Sequence, residues 1–156
     1  MLYFHARRRP PRGVGRRRGE GALAEQLSLV EPAAADATRV LIVDDDASVR
    51  DVIGVLLSEE GYQCTVADGA QQALDTARHT EPHLVISDVK MPGKDGFWLL
   101  DRLRKERPDT AVVMLTAFGD TEAAVECLRR GAADYLLKPP KVTDLIRAIE
   151  RALARR

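Results

Sequence analysis

The sequence predicts an α/β fold in which a doubly wound parallel sheet of five strands carries helices on both faces. Short apolar runs alternate five times with segments of helical periodicity, which is typical of consecutive βαβ units. Most of these runs are apolar throughout, as in strands that are buried on both faces. Five such units within about 118 residues favour the flavodoxin-like strand order 2-1-3-4-5.

The first unit shows how the elements are predicted. An apolar strand over about 39–44 is followed by Asp46, whose carboxylate suits the N-cap of a helix. Gly61 suits the C-terminal end of that helix. The apolar stripe that is expected to face the sheet recurs at helical spacing and consists of Val49, Val52, Ile53, Leu56 and Leu57.

The other four units follow the same rules. The second strand alternates apolar residues with polar Gln63 and Thr65, which predicts a position at the edge of the sheet. Pro108 and Gly131 suit the ends of the third and fourth helices. The predicted strands cover about 62–67, 83–88, 111–117 and 134–138, and the predicted helices cover about 70–79, 95–106, 121–130 and 142–156.

The first 38 residues differ in composition from the rest of the chain. The chain has 24 basic and 24 acidic groups; residues 1–19 contain seven arginines and no acid, so residues 20–156 hold 17 basic against 24 acidic groups, a net charge of −7. A stretch rich in Arg, Gly, Pro and Ala buries too little apolar surface to offset its ordering entropy. We predict a disordered N-terminal extension over residues 1–38 and one folded domain over residues 39–156.

Composition also narrows the compartment and the partners. Only Cys64 and Cys127 are present, without the spacing of a metal site, which favours a reduced, cytoplasmic setting. No apolar stretch approaches the roughly 20 residues of a membrane span, so no membrane association is expected. The arginine-rich start lacks interleaved aromatic residues beyond Tyr3 and Phe4, and no DNA-binding helix pair follows it, which argues against nucleic-acid binding.

Charged and hydroxyl side chains follow four of the predicted strands. Asp44 and Asp45 follow the first strand, Asp88 ends the third, and Thr116 and Lys138 lie at the ends of the fourth and fifth. Because ligands bind at the carboxyl ends of the strands in open α/β sheets, we expect these side chains on one rim. Three carboxylates about 5 Å apart repel by roughly 3 kcal/mol per pair at an effective dielectric constant of about 20. Mg²⁺ is the natural cation to offset that repulsion.

The same side chains suit phosphoryl transfer. Asp88 is the candidate nucleophile, because a carboxylate can form an aspartyl-phosphate. Mg²⁺ and Lys138 would offset charge on the phosphoryl oxygens, and the hydroxyl of Thr116 could donate to one of them. The alternative, for each acid of 44–46 taken alone, is that it only caps a helix or faces solvent.

Four segments around these residues resemble the receiver domain of response regulators. Their order and spacing are specific, and the resemblance extends over residues 39–155, about three quarters of the chain. The segments are VLIVDDDASVR at 40–50, LVISDVKMPGKDG at 84–96, VVMLTAFGD at 112–120 and GAADYLLKPP at 131–140. One departure is Pro140, where an apolar residue such as Phe is common in the family.

The resemblance implies a phosphorylation-dependent signalling switch of a two-component phosphorelay. Asp88 would accept a phosphoryl group from a sensor histidine kinase or a phosphotransfer protein, and Lys138 and Thr116 would contact that group. Such a protein catalyses only its own phosphorylation and dephosphorylation and is not otherwise an enzyme. The ligands of Mg²⁺ implied by the resemblance are Asp44, Asp45, Asp88 and the backbone carbonyl of Lys90.

The resemblance also implies how the signal leaves the site. Thr116 and Tyr135 would move together on phosphorylation and remodel the face formed by the fourth helix, the fifth strand and the fifth helix. A downstream effector or a second copy of the chain would then bind through residues 121–153. The Lys138–Pro139 peptide bond is expected to be cis.

Two other classes of protein remain open on sequence grounds. An aspartyl-phosphate phosphatase or phosphotransferase shares these residue types, but it places its nucleophile on the first strand as D-x-D and carries an inserted cap. A phosphate-independent binding module would signal by shape alone, and it would have no need of the complete set of site residues.

Overall fold

The computed structural model describes residues 3–4, 37–117 and 119–155. Every predicted strand and helix is present, and each end lies within about two residues of its predicted position. Numbered in chain order, the strands are β1 (Tyr3–Phe4), β2 (Arg39–Val43), β3 (Gln63–Ala67), β4 (Leu84–Asp88), β5 (Ala111–Thr116) and β6 (Asp134–Leu137). The helices are α1 (Ala47–Glu59), α2 (Ala70–Thr80), α3 (Gly96–Glu106), α4 (Thr121–Arg129) and α5 (Val142–Ala154).

The described strands form one sheet in the order β1-β3-β2-β4-β5-β6. The neighbours from β3 to β6 all run parallel, so the predicted order 2-1-3-4-5 is confirmed for the five predicted strands. In register, Ile42 of β2 lies opposite Val66 and Ile86, and Ile86 lies opposite Val113. The carboxyl ends of β2, β4, β5 and β6 therefore meet along one rim of the sheet.

The strand β1 corrects the predicted edge position of the second predicted strand. Tyr3 and Phe4 pair antiparallel with β3, opposite Thr65 and Cys64, so β1 lies outside β3. A two-residue strand shows no periodicity, and the sequence therefore gave no signal for it. The rest of the predicted disordered extension, over residues 1–38, lies mostly outside the described residues, and its disorder stays a prediction.

Two apolar layers, one on each face of the sheet, show the doubly wound arrangement. Leu74 of α2, Leu99 of α3 and Cys127 of α4 belong to the first layer. Leu57 of α1 and Ile149 of α5 belong to the second. Strand residues alternate between the two layers, which explains why β4 and β5 are buried along their whole length.

The inner face of α1 differs from the predicted apolar stripe. Ile53 and Leu57 are buried, but Val52 is 59% exposed. Gly54 and Ser58 lie on the buried face instead. Glycine and serine are small enough to be buried against the sheet although neither is a large apolar residue. A prediction that counts only large apolar residues therefore assigns the buried face of α1 incorrectly.

Asp46 caps the start of α1, and glycines follow the C-terminal ends of α1 and α4, as the sequence predicts. The carboxylate of Asp46 accepts a hydrogen bond from the N–H of Ser48 at the start of α1. Gly61 and Gly131 have φ angles of 96° and 97°, a region that favours glycine, just beyond α1 and α4. In the described ranges, no helix is both long and apolar enough to cross a membrane.

Candidate functional site

Three acids meet at the carboxyl ends of the neighbouring strands β2 and β4. Asp44 and Asp45 follow β2, and Asp88 is the last residue of β4. Each offers a carboxylate oxygen, and these oxygens lie within 4.8 Å of one another. Asp44 and Asp88 are buried, at 0% and 7% exposure, whereas Asp45 is exposed. The structure thus brings the three predicted acids together, with one of them facing solvent.

The ammonium group of Lys138 bridges the two buried acids. Its Nζ atom lies 2.6 Å from Oδ2 of Asp44 and 3.0 Å from Oδ2 of Asp88. The lysine directly follows β6, and its backbone N–H donates to the carbonyl of Thr116 at 2.8 Å. The Lys138–Pro139 peptide bond is cis, as expected. One ammonium group balances one of three carboxylates, so the ionised cluster keeps a formal charge of −2.

Burial and charge act in opposite directions on these groups. Burial raises the pKa of Asp88, the hydrogen bond and charge of Lys138 lower it by less, and the charges of Asp44 and Asp45 add to the rise. Burial lowers the pKa of Lys138, but its hydrogen bonds to Asp44 and Asp88 outweigh this, and its pKa is raised overall. Lys138 is therefore charged near neutral pH, while Asp88 resists ionisation more than a free aspartate does.

Thr116 and Tyr135 lie on the two strands beyond Asp88. Thr116 is the last residue of β5 and is fully buried, and its hydroxyl lies 3.5 Å from the carbonyl of Leu136, at the outer limit for a hydrogen bond. Asp88 is opposite Leu115, so Thr116 is one position further toward the rim. Tyr135, on β6, is 36% exposed. Both residues lie where the sequence places them, and their joint movement stays a prediction.

Lys90 follows Asp88 by two residues and flanks the same rim. Its side chain is 78% exposed, and its Nζ atom lies 3.6 Å from Oδ2 of Asp120, the N-cap residue of α4. This ion pair links the loops that follow β4 and β5 at the surface. The backbone carbonyl of Lys90 as a metal ligand stays a prediction.

The donor set fits a hard divalent cation. The three candidate ligands are all carboxylate oxygens, the ligand type that Mg²⁺ and Ca²⁺ prefer, and the cluster has excess negative charge. One of these carboxylates, Asp88, is able to act as a nucleophile, and the ammonium group of Lys138 lies within hydrogen-bonding distance of it. A cation site, a nucleophile and a fixed positive charge together suit transfer of a phosphoryl group.

Comparison with known proteins agrees with this chemistry. The family model described as "Response regulator receiver domain" matches residues 40–150, which include every site residue described above. The chain belongs to this family. It is therefore a receiver domain of the kind found in two-component response regulators, as its four sequence segments indicated.

Curated relatives match the receiver over the same region. The DNA-binding transcriptional regulator NtrC of Klebsiella pneumoniae is 36% identical over 113 residues, which cover 72% of this chain and 24% of NtrC. The response regulator protein FleR of Pseudomonas aeruginosa is 40% identical over 115 residues, which cover 74% of this chain and 24% of FleR. The chain thus spans about a quarter of the length of these relatives.

A solved structure shows the same architecture. The crystal structure of a response regulator receiver domain protein from Clostridium thermocellum aligns with a TM-score of 0.72 at 32% identity. The alignment covers 76% of this chain and 95% of the chain in that structure. The two chains therefore share the receiver fold over nearly the whole of that structure.

Sequence reasoning missed two residues that shape the receiver site. Nη1 of Arg50, on α1, donates to the backbone carbonyl of Asp44 at 2.7 Å and so fixes the loop that carries the acids. Gly96, the first residue of α3, packs against the backbone of Asp88, whose carbonyl oxygen would lie 2.2 Å from an added Cβ. The sequence contains both residues within its family-like segments, but nothing in their spacing indicates these contacts.

Proposed function

We propose that this receiver is a phosphorylation-dependent switch in which Asp88 accepts a phosphoryl group from the phosphohistidine of a sensor histidine kinase or a phosphotransfer protein. One observation carries the proposal. The buried carboxylate of Asp88 lies 3.0 Å from the ammonium group of Lys138, and two further carboxylates lie within 4.8 Å. A structural salt bridge alone would need one carboxylate for one lysine, whereas this cluster has two further acids, an excess of negative charge that a bound cation would offset.

The transfer step uses the groups of this rim. A carboxylate oxygen of Asp88 forms a bond to phosphorus while the bond between phosphorus and the histidine nitrogen breaks. The electron pair of the broken bond stays on the imidazole nitrogen, and an aspartyl-phosphate remains on the receiver. Lys138 and the hydroxyl of Thr116 are the groups we assign to the transferred oxygens, because both lie at the same end of the sheet as Asp88.

The cation in this proposal is Mg²⁺. Asp44, Asp45, Asp88 and the backbone carbonyl of Lys90 would hold it, since hard oxygen ligands suit this ion and it retains water that phosphoryl oxygens can replace. When bound, it neutralises part of the charge on the phosphoryl oxygens. The residues of the chain provide the positioning, since Lys138 holds the carboxylates of Asp44 and Asp88 in place by hydrogen bonds.

We assign the output of the switch to the face formed by α4, β6 and α5, residues 121–153, with Thr116 and Tyr135 as the residues that transmit the change. The partner would be a downstream effector or a second receiver, in the cytoplasm. Apolar surface supports this assignment, because five of the seven exposed large apolar side chains in the described residues lie here. They are Val125, Leu128, Tyr135, Leu137 and Val142.

Intact mass spectrometry after incubation with a small-molecule phosphodonor and Mg²⁺ tests the proposal. We expect one added phosphoryl group per chain and no addition in Asp88→Asn. The control Asp109→Asn should show normal addition, because Asp109 is exposed and precedes β5, at the end of that strand opposite Thr116. Omission of Mg²⁺ should slow the addition strongly.

Other outcomes would assign the chain to another class. Multiple turnover of an external phosphorylated substrate would indicate a phosphatase or phosphotransferase. A mass that stays unchanged under all conditions would indicate a binding module that works without phosphate, and the proposal would then be wrong.

A further inference from the structure

The outer edge of β3 offers backbone groups to a further strand. The N–H of Gln63 donates to Thr38 at 2.9 Å, and the carbonyl of Ala67 accepts from Asp44 at 3.2 Å, so the odd-numbered residues of β3 bond toward β2. Backbone polar groups alternate in direction along a strand. The N–H and C=O groups of Cys64 therefore point away from β2, toward the outer edge of the sheet.

The strand β1 meets this edge in a matching register. Phe4 lies opposite Cys64, and Tyr3 lies opposite Thr65. Because the polar groups of Cys64 point outward, Phe4 and Cys64 form the pair that exchanges two backbone hydrogen bonds in an antiparallel ladder. Tyr3 and Thr65 then form the non-hydrogen-bonded pair, with their Cα atoms closer together. In addition, β1 contacts α1, so that it lies against two elements of the domain.

We propose that the N-terminal segment, paired as β1 with the outer edge of β3, guards that edge against pairing with a second copy of the chain. Addition of a strand to an open sheet edge is a common mode of peptide recognition. An open edge is also where two copies of a sheet protein pair with each other. Occupation by the chain's own N-terminus closes the receiver against such pairing, and this role is separate from the phosphoryl site.

Chain length favours the same chain over a second copy. Residues 5–36 connect Phe4 to the domain, and they would reach roughly 100 Å if fully extended, far more than the return path requires. A tether of this kind gives an effective concentration on the order of millimolar, which a second copy reaches only in concentrated solution. Charge favours the N-terminal segment over the edge strand of a second receiver, since residues 1–19 contain seven arginines, whereas residues 20–156 of either copy have a net charge of −7.

NMR on a mixture of isotope-labelled and unlabelled full-length chains tests the occupant. The non-hydrogen-bonded pair predicts a nuclear Overhauser effect between the Hα atoms of Tyr3 and Thr65. We expect this signal within labelled chains and not between labelled and unlabelled chains. A signal between chains would show an exchanged segment from a second copy, and absence of both signals would show an empty edge; either result overturns the proposal.

Hydrogen exchange tests the edge itself and offers an internal control. Phe4→Pro removes the N–H that donates to the carbonyl of Cys64. The loss of this bond weakens the pairing, so the partner bond from the Cys64 amide to the carbonyl of residue 4 should open more often, and the exchange rate of the Cys64 amide should rise about tenfold. The Thr65 amide faces β2 and should change less than about twofold. Val14→Pro introduces the same residue ten positions further along the chain and should leave both rates unchanged. Equal behaviour of Cys64 and Thr65 in Phe4→Pro would contradict the proposal.

A truncation tests the protective role. Deletion of residues 1–36 leaves both apolar layers intact, since their members run from Val40 to Leu153. We expect this shortened receiver to self-associate at a concentration at least about tenfold lower than the full chain, by sedimentation analysis. A peptide of residues 1–8 should reverse the association and restore protection of the Cys64 amide, whereas the same peptide with Phe4→Pro should not. Unchanged self-association would show that the segment does not guard this edge.

Discussion

Asp88 combines two properties that oppose each other. A carboxylate that attacks phosphorus has to be ionised, yet burial and the nearby carboxylates of Asp44 and Asp45 raise its pKa. The ammonium group of Lys138 offsets only part of this effect. The receiver therefore keeps its candidate nucleophile in a position where ionisation reduces stability, and a bound cation would offset this cost.

This conflict predicts that Asp88→Asn stabilises the metal-free receiver at neutral pH, because asparagine has no charge to bury. A raised folded-state pKa means that the contribution of Asp88 to stability is fully present below its unfolded pKa of about 4 and is lost as pH rises through the folded value. Asparagine does not titrate. The difference in free energy of unfolding should therefore be small near pH 4 and grow toward pH 7, as measured by urea unfolding in a chelator.

Divalent cation should reverse the sign of this difference. Mg²⁺ that binds the folded state stabilises it by RT ln(1 + [Mg²⁺]/Kd), and the variant has lost one of the proposed ligands. We expect wild type to become the more stable protein at millimolar Mg²⁺, while Asp109→Asn follows wild type throughout. A variant that is less stable than wild type in chelator at pH 7 would contradict the account of Asp88.

Among the elements, the start of α3 has the tightest approach to the site. An added Cβ on Gly96 would lie 2.2 Å from the carbonyl oxygen of Asp88 and 2.9 Å from Cα of Val89. Both atoms belong to the backbone and cannot swing aside. The N–H of Gly96 also donates to the carbonyl of Val89 at 2.8 Å, so the helix start and the end of β4 are held together.

Gly96→Ala should therefore push α3 away from β4, with a loss of about 2–3 kcal/mol in the free energy of unfolding and slower phosphoryl uptake. Gly69→Ala is the matched control. Gly69 is the N-cap residue of α2, and an added Cβ there meets nothing within 4 Å. The weaker capping preference of alanine should cost at most about 1 kcal/mol, and uptake should not change. Equal losses from the two variants, measured by thermal unfolding and intact mass, would show that the close approach at Gly96 is unimportant.

The elements also show what sequence can and cannot predict. Residues with a local signal were placed correctly, as with the N-cap Asp46 and the terminal Gly61, because capping depends on neighbours in the chain. The convergence of Asp44, Asp88 and Lys138 followed from strand order, which a pattern of apolar runs is enough to indicate. Contacts that depend on side-chain reach or on close packing, such as Arg50 with the carbonyl of Asp44, leave no trace in spacing.

For the molecule as a whole, the acidic rim and the apolar face lie on different elements. Lys138 joins them, since it contacts Asp44 and Asp88 and directly follows β6, the strand at the centre of the 121–153 face. A phosphoryl group on Asp88 would compete with both acids for this ammonium group. The proposed switch therefore needs no long path between the phosphoryl site and the 121–153 face. One residue, Lys138, contacts the site through its side chain and is joined to β6 through its backbone.

The last prediction concerns that face. If phosphorylated receivers self-associate through residues 121–153, Val125→Asp should abolish the association, because a charge in an apolar contact costs several kcal/mol. Phosphoryl uptake from a small-molecule donor should stay within about twofold of wild type. Val52→Asp is the matched control, because Val52 is 59% and Val125 51% exposed, but Val52 lies on α1. Sedimentation with and without phosphodonor measures the association. An equal effect of the two variants would show that exposed apolar area in general, and not this face, drives assembly; a phosphorylated wild type that stays monomeric would leave the face to an effector.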